Sequence, residues 1–318
     1  MLQYMSIALV FPGQGSQSVG MLAQLAAQHE LVQAGYAQAS RALGFDLWSL
    51  VAHGPAERLN RTEITQPVML VADVITARIW RQQGGAAPSA VAGHSLGEFA
   101  ALVCAGALEF EDAVKLVHFR GQIMQQAVPE GVGAMAVVLG IGDQQIEAVC
   151  AEAGQGEVVE AVNYNSPGHV VIAGHATAVQ RALVLAKQRG AKRAQLLPIS
   201  VPAHSSLMRE AAHRLEQRLA QIEVRRPDCR YVSAVDAVEH SEPQDIRATL
   251  VRQLASPVRW PQTVRALLQS ASTLIESGPG KVLTGLNRRI ERGANCFALE
   301  DPDSLAAALA ATAGAAHA

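Results

Sequence analysis

Short apolar runs closed by glycine or proline alternate along this chain with segments whose apolar residues recur every three or four positions. Buried strands alternating with amphipathic helices predict an α/β fold built on a largely parallel sheet. Residues 8–11 and 89–92 are the clearest core strands, and residues 22–43 and 68–82 between them carry helical spacing. Gly84-Gly85 and Pro88 close the second of these helices.

The texture changes over residues 129–197. A strand is expected at 135–139, a helix at 143–153 opened by Asp143 as its cap, and a strand at 158–163. After the turn Ser166-Pro167-Gly168 come a strand at 169–173, a helix at 176–189 stopped by Gly190, and a strand at 192–197. The order β-α-β-β-α-β is that of a ferredoxin-like unit. The chain therefore reads as two domains: a large α/β-hydrolase-like domain from 1–128 and 198–318, and a small ferredoxin-like subdomain, 129–197, inserted in it. The large domain resumes with a helix whose face carries Leu207, Met208, Ala211, Leu215, Leu219 and Ile222. Residues 305–318, almost all alanine, are expected to form a terminal helix that frays.

Composition narrows the function classes. At 49% hydrophobic and 17% charged the chain is globular, and 26 Lys+Arg against 28 Asp+Glu leave a net charge of -2. That offers no global basic field for nucleic acid or an anionic membrane. The run Ile7-Ala8-Leu9-Val10-Phe11 is too short for a signal sequence or a membrane span, so a cytoplasmic location is expected. Cys104, Cys150, Cys229 and Cys296 lie far apart without a C-x-x-C pair, which indicates reduced structural thiols and no metal site.

Gly93-His94-Ser95-Leu96-Gly97 matches G-x-S-x-G between a small-residue strand and a helix at 98–105. Such a sharp turn lifts the Ser95 hydroxyl off the sheet edge and aims the Leu96 N–H at a developing oxyanion. The loop Pro12-Gly13-Gln14-Gly15-Ser16-Gln17 fails as a dinucleotide fingerprint, because Ser18 stands where the third glycine belongs. Its glycines instead allow close backbone approach, with the Gln14 N–H as a second oxyanion donor. Gly278-Pro279-Gly280-Lys281 likewise lacks the residues of a phosphate loop, having Ile275 upstream and Val282 after the lysine.

A serine nucleophile needs a base. Of ten histidines, His204 stands out, after an expected strand at 196–201 and Pro202-Ala203 and before the helix from Leu207. His94 points to the wrong side of the turn. No acid declares itself as orienter, but a helix at 245–254 ending before Pro257 leaves carbonyls unpaired, and that of Gln253 could serve. Arg120 falls on the apolar face of a helix at 111–126, among Ala113, Leu116, Val117 and Met124. A guanidinium aimed at a core needs either a protein carboxylate or a ligand anion. Beside a serine acyl site, the second possibility is recognition of a free carboxylate on the acyl group.

Taken together, Phe11-Pro12-Gly13-Gln14-Gly15-Ser16-Gln17, Thr65-Gln66-Pro67, Gly93-His94-Ser95-Leu96-Gly97-Glu98, Ser200-Val201-Pro202-Ala203-His204 and Gly278-Pro279-Gly280-Lys281 resemble the bacterial malonyl-CoA:acyl carrier protein transacylases. The likeness runs from about residue 7 to residue 309. It implies Ser95 as acylated nucleophile, His204 as base, the Gln253 carbonyl as its orienter, and Gln14 and Leu96 as oxyanion donors. Arg120 would hold the malonyl carboxylate, with Met124 and Gln66 lining the pocket and Asn163 and Asn165 reaching in from the small subdomain. The implied partners are malonyl-CoA and holo-acyl carrier protein, with coenzyme A entering as a thioester substrate, no resident cofactor, and a monomeric enzyme of fatty acid synthesis. Two alternatives share the nucleophile and base: a stand-alone acyltransferase of polyketide or malonate metabolism, and a serine hydrolase, which has no need of Arg120.

Overall fold

All five side chains of β1 (Ile7–Phe11) are buried, so the strand belongs in the interior of a sheet covered on both faces. The computed structural model, which describes residues 6–199 and 201–313, places it at the centre of a five-stranded sheet. Beyond it follow α1 (Ala23–Gln28), α2 (Glu30–Leu43), α3 (Leu47–His53), α4 (Ala56–Leu59) and α5 (Thr62–Gln82). Then β2 (Ala90–Gly93) pairs with β1 in parallel, Phe11 opposite Gly93, and leads into α6 (Gly97–Cys104) and α7 (Phe110–Ala127).

The helix expected over 22–43 is two helices. His29 adopts an extended backbone, ending α1 with its N–H on the Leu25 carbonyl and opening α2. Conversely, α5 starts at Thr62 and runs through Pro67. Proline cannot donate to the carbonyl four residues back, and that carbonyl, of Glu63, accepts instead from His118 Nδ1 of α7 at 2.7 Å. α5 is thereby kept whole, buried along nearly its full length and packed against α2, α6 and α7.

The next stretch holds β3 (Gly133–Leu139), α8 (Asp143–Gly154), β4 (Val159–Ser166), β5 (His169–His175), α9 (Ala176–Gln188) and β6 (Arg193–Leu196). Its strands lie in the order β6-β3-β5-β4 with antiparallel neighbours. Strand alternation sorts the side chains: Ala136, Val138, Val170 and Ile172 pack with Ile146, Val149, Val179 and Ala182 of the two helices. Met135, Val171 and Ala173 face the other way, with Val162, towards Leu197, Ile199 and Ala203. The expected cap of α8 is wrong by one residue. Asp143 is already helical, and the N–H of Gly142 donates to Gln145 Oε1 at 3.1 Å.

After a 3₁₀ turn, Ser206–Met208, the chain forms α10 (Arg209–Leu219), β7 (Arg230–Tyr231), α11 (Pro243–Gln253), β8 (Val258–Arg259), α12 (Trp260–Leu268), β9 (Thr273–Glu276), α13 (Val282–Ile290), β10 (Asn295–Ala298) and α14 (Pro302–Thr312). These complete the parallel sheet in the order β10-β9-β1-β2-β7. β8 instead joins the other sheet, parallel to β4, so a strand from the last third of the chain staples the two sheets' layers together. Of the terminal helix expected over 305–318, the last five residues lie outside the described residues.

One expectation fails next to the site. The strand expected at 196–201 stops at Leu196, since Pro198 and Pro202 withhold the donors a ladder needs. Ser200 lies outside the described residues. His204 is consequently presented by a turn, not by the edge of a strand.

Replacing His118 by Leu should leave the Glu63 carbonyl unpaired and lower stability by about 1 kcal/mol. Urea unfolding would show the shift in midpoint.

Candidate active site

Only His94, Ser95 and Leu96 separate β2 from α6, and Ser95 takes a left-handed backbone with φ 55°. The turn closes because both flanking positions are glycine. A Cβ on Gly93 would stand 1.9 Å from the Gly97 carbonyl carbon, and one on Gly97 would stand 2.1 Å from the Phe11 oxygen. Amides of Gly97 and Glu98 fold back onto the carbonyls of His94 and Ser95 at 3.1 and 3.0 Å. Leu96 opens the helix without such a bond. Opposite, the loop after β1 presses against the turn, a Cβ on Gly13 falling 2.7 Å from the His94 oxygen. Among the described residues neither the Leu96 nor the Gln14 N–H has a hydrogen-bond partner.

His204 Nε2 lies 2.7 Å from Ser95 Oγ, and its Nδ1 lies 2.8 Å from the Gln253 carbonyl. A carbonyl only accepts, so Nδ1 carries the proton and Nε2 offers its lone pair to the serine hydroxyl. Gln253 is the last residue of α11, where a carbonyl has no partner further along the helix. His204 itself adopts φ 65°, an unfavourable backbone for a side-chain-bearing residue. Its loop is held by Ser205 Oγ on the Pro202 carbonyl at 2.7 Å, and by Ser206, whose N–H and hydroxyl donate to Glu160 of β4 at 2.7 and 2.8 Å. Burial, and then the charge of Arg120, push the imidazole down to about 3. It is therefore neutral at physiological pH.

Arg120 is 2% exposed, and among the described residues no carboxylate comes within salt-bridge distance of it. Two of its nitrogens donate to amide oxygens, Nη1 to Gln66 Oε1 and Nη2 to Gln253 Oε1, each at 2.8 Å, with Ser95 Oγ 3.4 Å from Nη2, while the buried Nε is without a partner among the described residues. Gln66 also donates to Met124 Sδ at 3.4 Å. Burial lowers the guanidinium to about 10 while the charge of Glu98 opposes that fall, so the cation persists at neutral pH.

Ser95, His204, Gln253, Arg120, Gln66 and Met124 thus form one hydrogen-bonded set, flanked by the amides of Gln14 and Leu96. Asn165 touches it only at one remove, through His94 Nε2 at 2.9 Å. Asn163 makes no hydrogen bond to it, and its buried Oδ1 is unpartnered. The side chain of Gln253 went unforeseen, as did Glu98 and Tyr231. A carboxylate in the first turn after the serine reads as an ordinary helix-dipole residue, and no periodicity marks it as buried. Among the described residues no group of three or more His, Cys, Asp or Glu gathers to hold a metal ion.

The acyl transferase domain family matches residues 8–289. The chain is 53% identical to the malonyl CoA-acyl carrier protein transacylase of Escherichia coli K12, over 95% of this chain and 98% of that one. The chain belongs to the malonyl-CoA:acyl carrier protein transacylase family. Solved transacylases of this family superpose throughout. That of Coxiella burnetii gives a TM-score of 0.95 at 47% identity over 100% of both chains. The S-malonyltransferase of Vibrio cholerae gives 0.92 at 53% identity over 95% of this chain and 99% of that one. The resemblance read from the motifs is borne out across the α/β fold.

The depressed value of His204 has a testable sign. The unfolded chain takes up this proton near pH 6.5 and the folded one only near 3, so what neutral His204 contributes to stability is complete above 6.5 and drains away as pH falls towards 3. NMR titration should find His204 still neutral at pH 5, and Arg120→Ala should raise its value.

Proposed function

We propose that this chain transfers malonyl from malonyl-CoA to the phosphopantetheine thiol of holo-acyl carrier protein through a malonyl ester on Ser95. The observation that carries the reading is a buried guanidinium, lacking any protein carboxylate, 3.4 Å from a serine hydroxyl that is itself 2.7 Å from a neutral imidazole. A hydrolase of neutral esters has no use for such a cation, whereas an acyl group ending in a carboxylate does.

Ser95 Oγ attacks the thioester carbonyl while His204 Nε2 takes the hydroxyl proton. Negative charge gathers on the carbonyl oxygen, where the free N–H groups of Gln14 and Leu96 are suited to receive it. The tetrahedral species collapses, the C–S bond breaks, and His204 returns the proton to the departing coenzyme A sulfur. The carrier thiol then repeats the sequence in reverse, giving its proton to His204, which passes it to Ser95 as the ester bond breaks. Coenzyme A comes and goes as substrate, and the groups that the chemistry uses are side chains and amides of this chain. Asn163 and Asn165 would line the acyl pocket from the small subdomain in this reading.

The sequence β-α-β-β-α-β with strand order β6-β3-β5-β4 supports reading 129–197 as a ferredoxin-like subdomain inserted in an α/β-hydrolase-like domain of 1–128 and 198–318. Four free thiols, pushed up by burial to about 12 at Cys104 and Cys150 and about 11 at Cys229 and Cys296, fit a reducing compartment. We read the enzyme as a cytoplasmic monomer without nucleic-acid or membrane partners. Among the described residues no helix is long and apolar enough to cross a membrane.

Supply of fatty acid synthesis is the role favoured by the similarity to the Escherichia coli enzyme. A transacylase 50% identical to this chain, solved with its type II polyketide carrier at TM-score 0.95 over 96% of this chain and 99% of that one, gives the polyketide alternative its weight. For the acidic carrier, Lys187, Arg189, Lys192 and Arg193 form one basic group and Arg288, Arg289 and Arg292 another. Arg189 is already paired with Glu152, and Lys192 packs on Gly140 beside the β4–β5 turn.

Brief exposure to equal malonyl-CoA and acetyl-CoA should add malonyl to Ser95 in the intact-protein mass spectrum, and holo-carrier should remove it. Ser95→Ala should take up nothing, and Arg120→Ala should lose most of the preference for malonyl. An acetyl adduct as abundant as the malonyl one in the unaltered enzyme would overturn the role of Arg120. Exchange of Lys192 and Arg289 for Glu should slow discharge to the carrier about tenfold and spare acylation by malonyl-CoA; equal loss of both would remove these residues from the docking face.

A further inference from the structure

Glu98 takes no part in the transfer just described, yet it is an acid with no exposed surface, in the first turn of α6. One carboxylate oxygen accepts from the Tyr231 hydroxyl. The other accepts from the Ala234 N–H at 3.4 Å and from Gln253 Nε2 at 2.9 Å. The same Gln253 amide also donates to the Ser95 carbonyl at 2.9 Å and accepts from Arg120 Nη2 at 2.8 Å. A buried anion and a buried cation are thus separated by the width of one amide, which donates to the first and accepts from the second.

A direct ion pair would compensate both charges more fully. It would also seat a carboxylate on the guanidinium edge that a substrate carboxylate must use. Interposing Gln253 transmits the attraction and holds Nη2 with a neutral amide oxygen in place of a resident carboxylate. The charge of Glu98 favours the charged form of Arg120 against burial, while burial raises Glu98 above the usual carboxylate range and the hydrogen bonds from Tyr231, Gln253 and Ala234 oppose that rise.

We propose that Glu98 is the resident counter-charge of Arg120, acting through the Gln253 amide, and that it sets how tightly the site holds an acyl group bearing a carboxylate. This rests on the reading that Arg120 receives that carboxylate. An arriving anion meets the attraction of the guanidinium and, behind it, the repulsion of Glu98. Its grip is weaker than a bare buried cation would give, which suits an acyl group that must leave with the next thiol. Glu98 is a positioning and tuning residue, since it touches no reacting atom.

The probe is malonamate, which keeps the carboxylate and replaces the thioester by an unreactive amide, with affinity measured by calorimetry. Glu98→Gln keeps the shape and removes the charge, and should bind malonamate about five- to tenfold more tightly than the unaltered enzyme. A residue needed only for structure would loosen binding, so unchanged or weaker affinity in this variant overturns the proposal. Tyr231→Phe loses the hydrogen bond and keeps the charge; its affinity should stay within about twofold, and a gain matching that of Glu98→Gln would overturn the charge argument. Gln253→Glu brings a carboxylate into contact with the guanidinium and should weaken binding at least about tenfold. Unchanged affinity there overturns the proposal even if Glu98→Gln does not fold. Malonamate binding that survives Arg120→Ala would instead refute the substrate reading itself, and the counter-charge with it.

Discussion

The site hangs on the end of one helix. At Gln253, the last residue of α11, the carbonyl has no partner further along the helix; the Ser256 N–H reaches it only at 3.4 Å, and His204 Nδ1 takes it at 2.8 Å. That bond fixes the imidazole tautomer and leaves Nε2 facing Ser95. The side chain of the same residue reaches Arg120, the Ser95 carbonyl and Glu98. His204, Ser95 and Arg120 are thereby referred to a single buried residue, and a displacement of α11 would misalign all three together.

Both residues of the Ser95–His204 pair sit in left-handed backbone, which costs energy and needs enforcement from outside. For Ser95 the enforcement is local. Glycines at 93 and 97 admit a turn that no side chain could share, and parallel pairing of β1 with β2 brings the Gly13 loop against it. For His204 it is remote, because Ser206 is bound by Glu160 from the other sheet. The loop carrying His204 is therefore fastened across the boundary between the two layers, and β8 pairing with β4 keeps that boundary in register.

Electrostatics complete the arrangement. A buried guanidinium beside an imidazole would be a poor design if the imidazole had to be charged at rest, but burial and Arg120 hold it neutral. The cation is met by the amide oxygens of Gln66 and Gln253, by Ser95 Oγ and by the face of Phe99, and among the described residues by no carboxylate within salt-bridge distance. The Ser95 hydroxyl thus faces a neutral imidazole on one side and a buried cation on the other.

The sequence determined what depends on local chemistry and on period. The nucleophile turn is legible because two glycines around a serine between strand and helix have one steric purpose. Arg120 is legible because a charged residue at a helical step among Ala113, Leu116, Val117 and Met124 must face the core. The alternating texture of 129–197 likewise follows from strand and helix periods. The third dimension decided what depends on contacts distant in the chain. His29 broke a helix that its spacing allowed, and α5 ran through Pro67 because a histidine from α7 met the orphaned carbonyl. His204 reached Ser95 from a turn where a strand was expected, since two prolines withheld ladder donors. Glu98 and the Gln253 side chain entered the site without any periodic signal, for a buried polar group is defined by partners far along the chain and not by its neighbours in it.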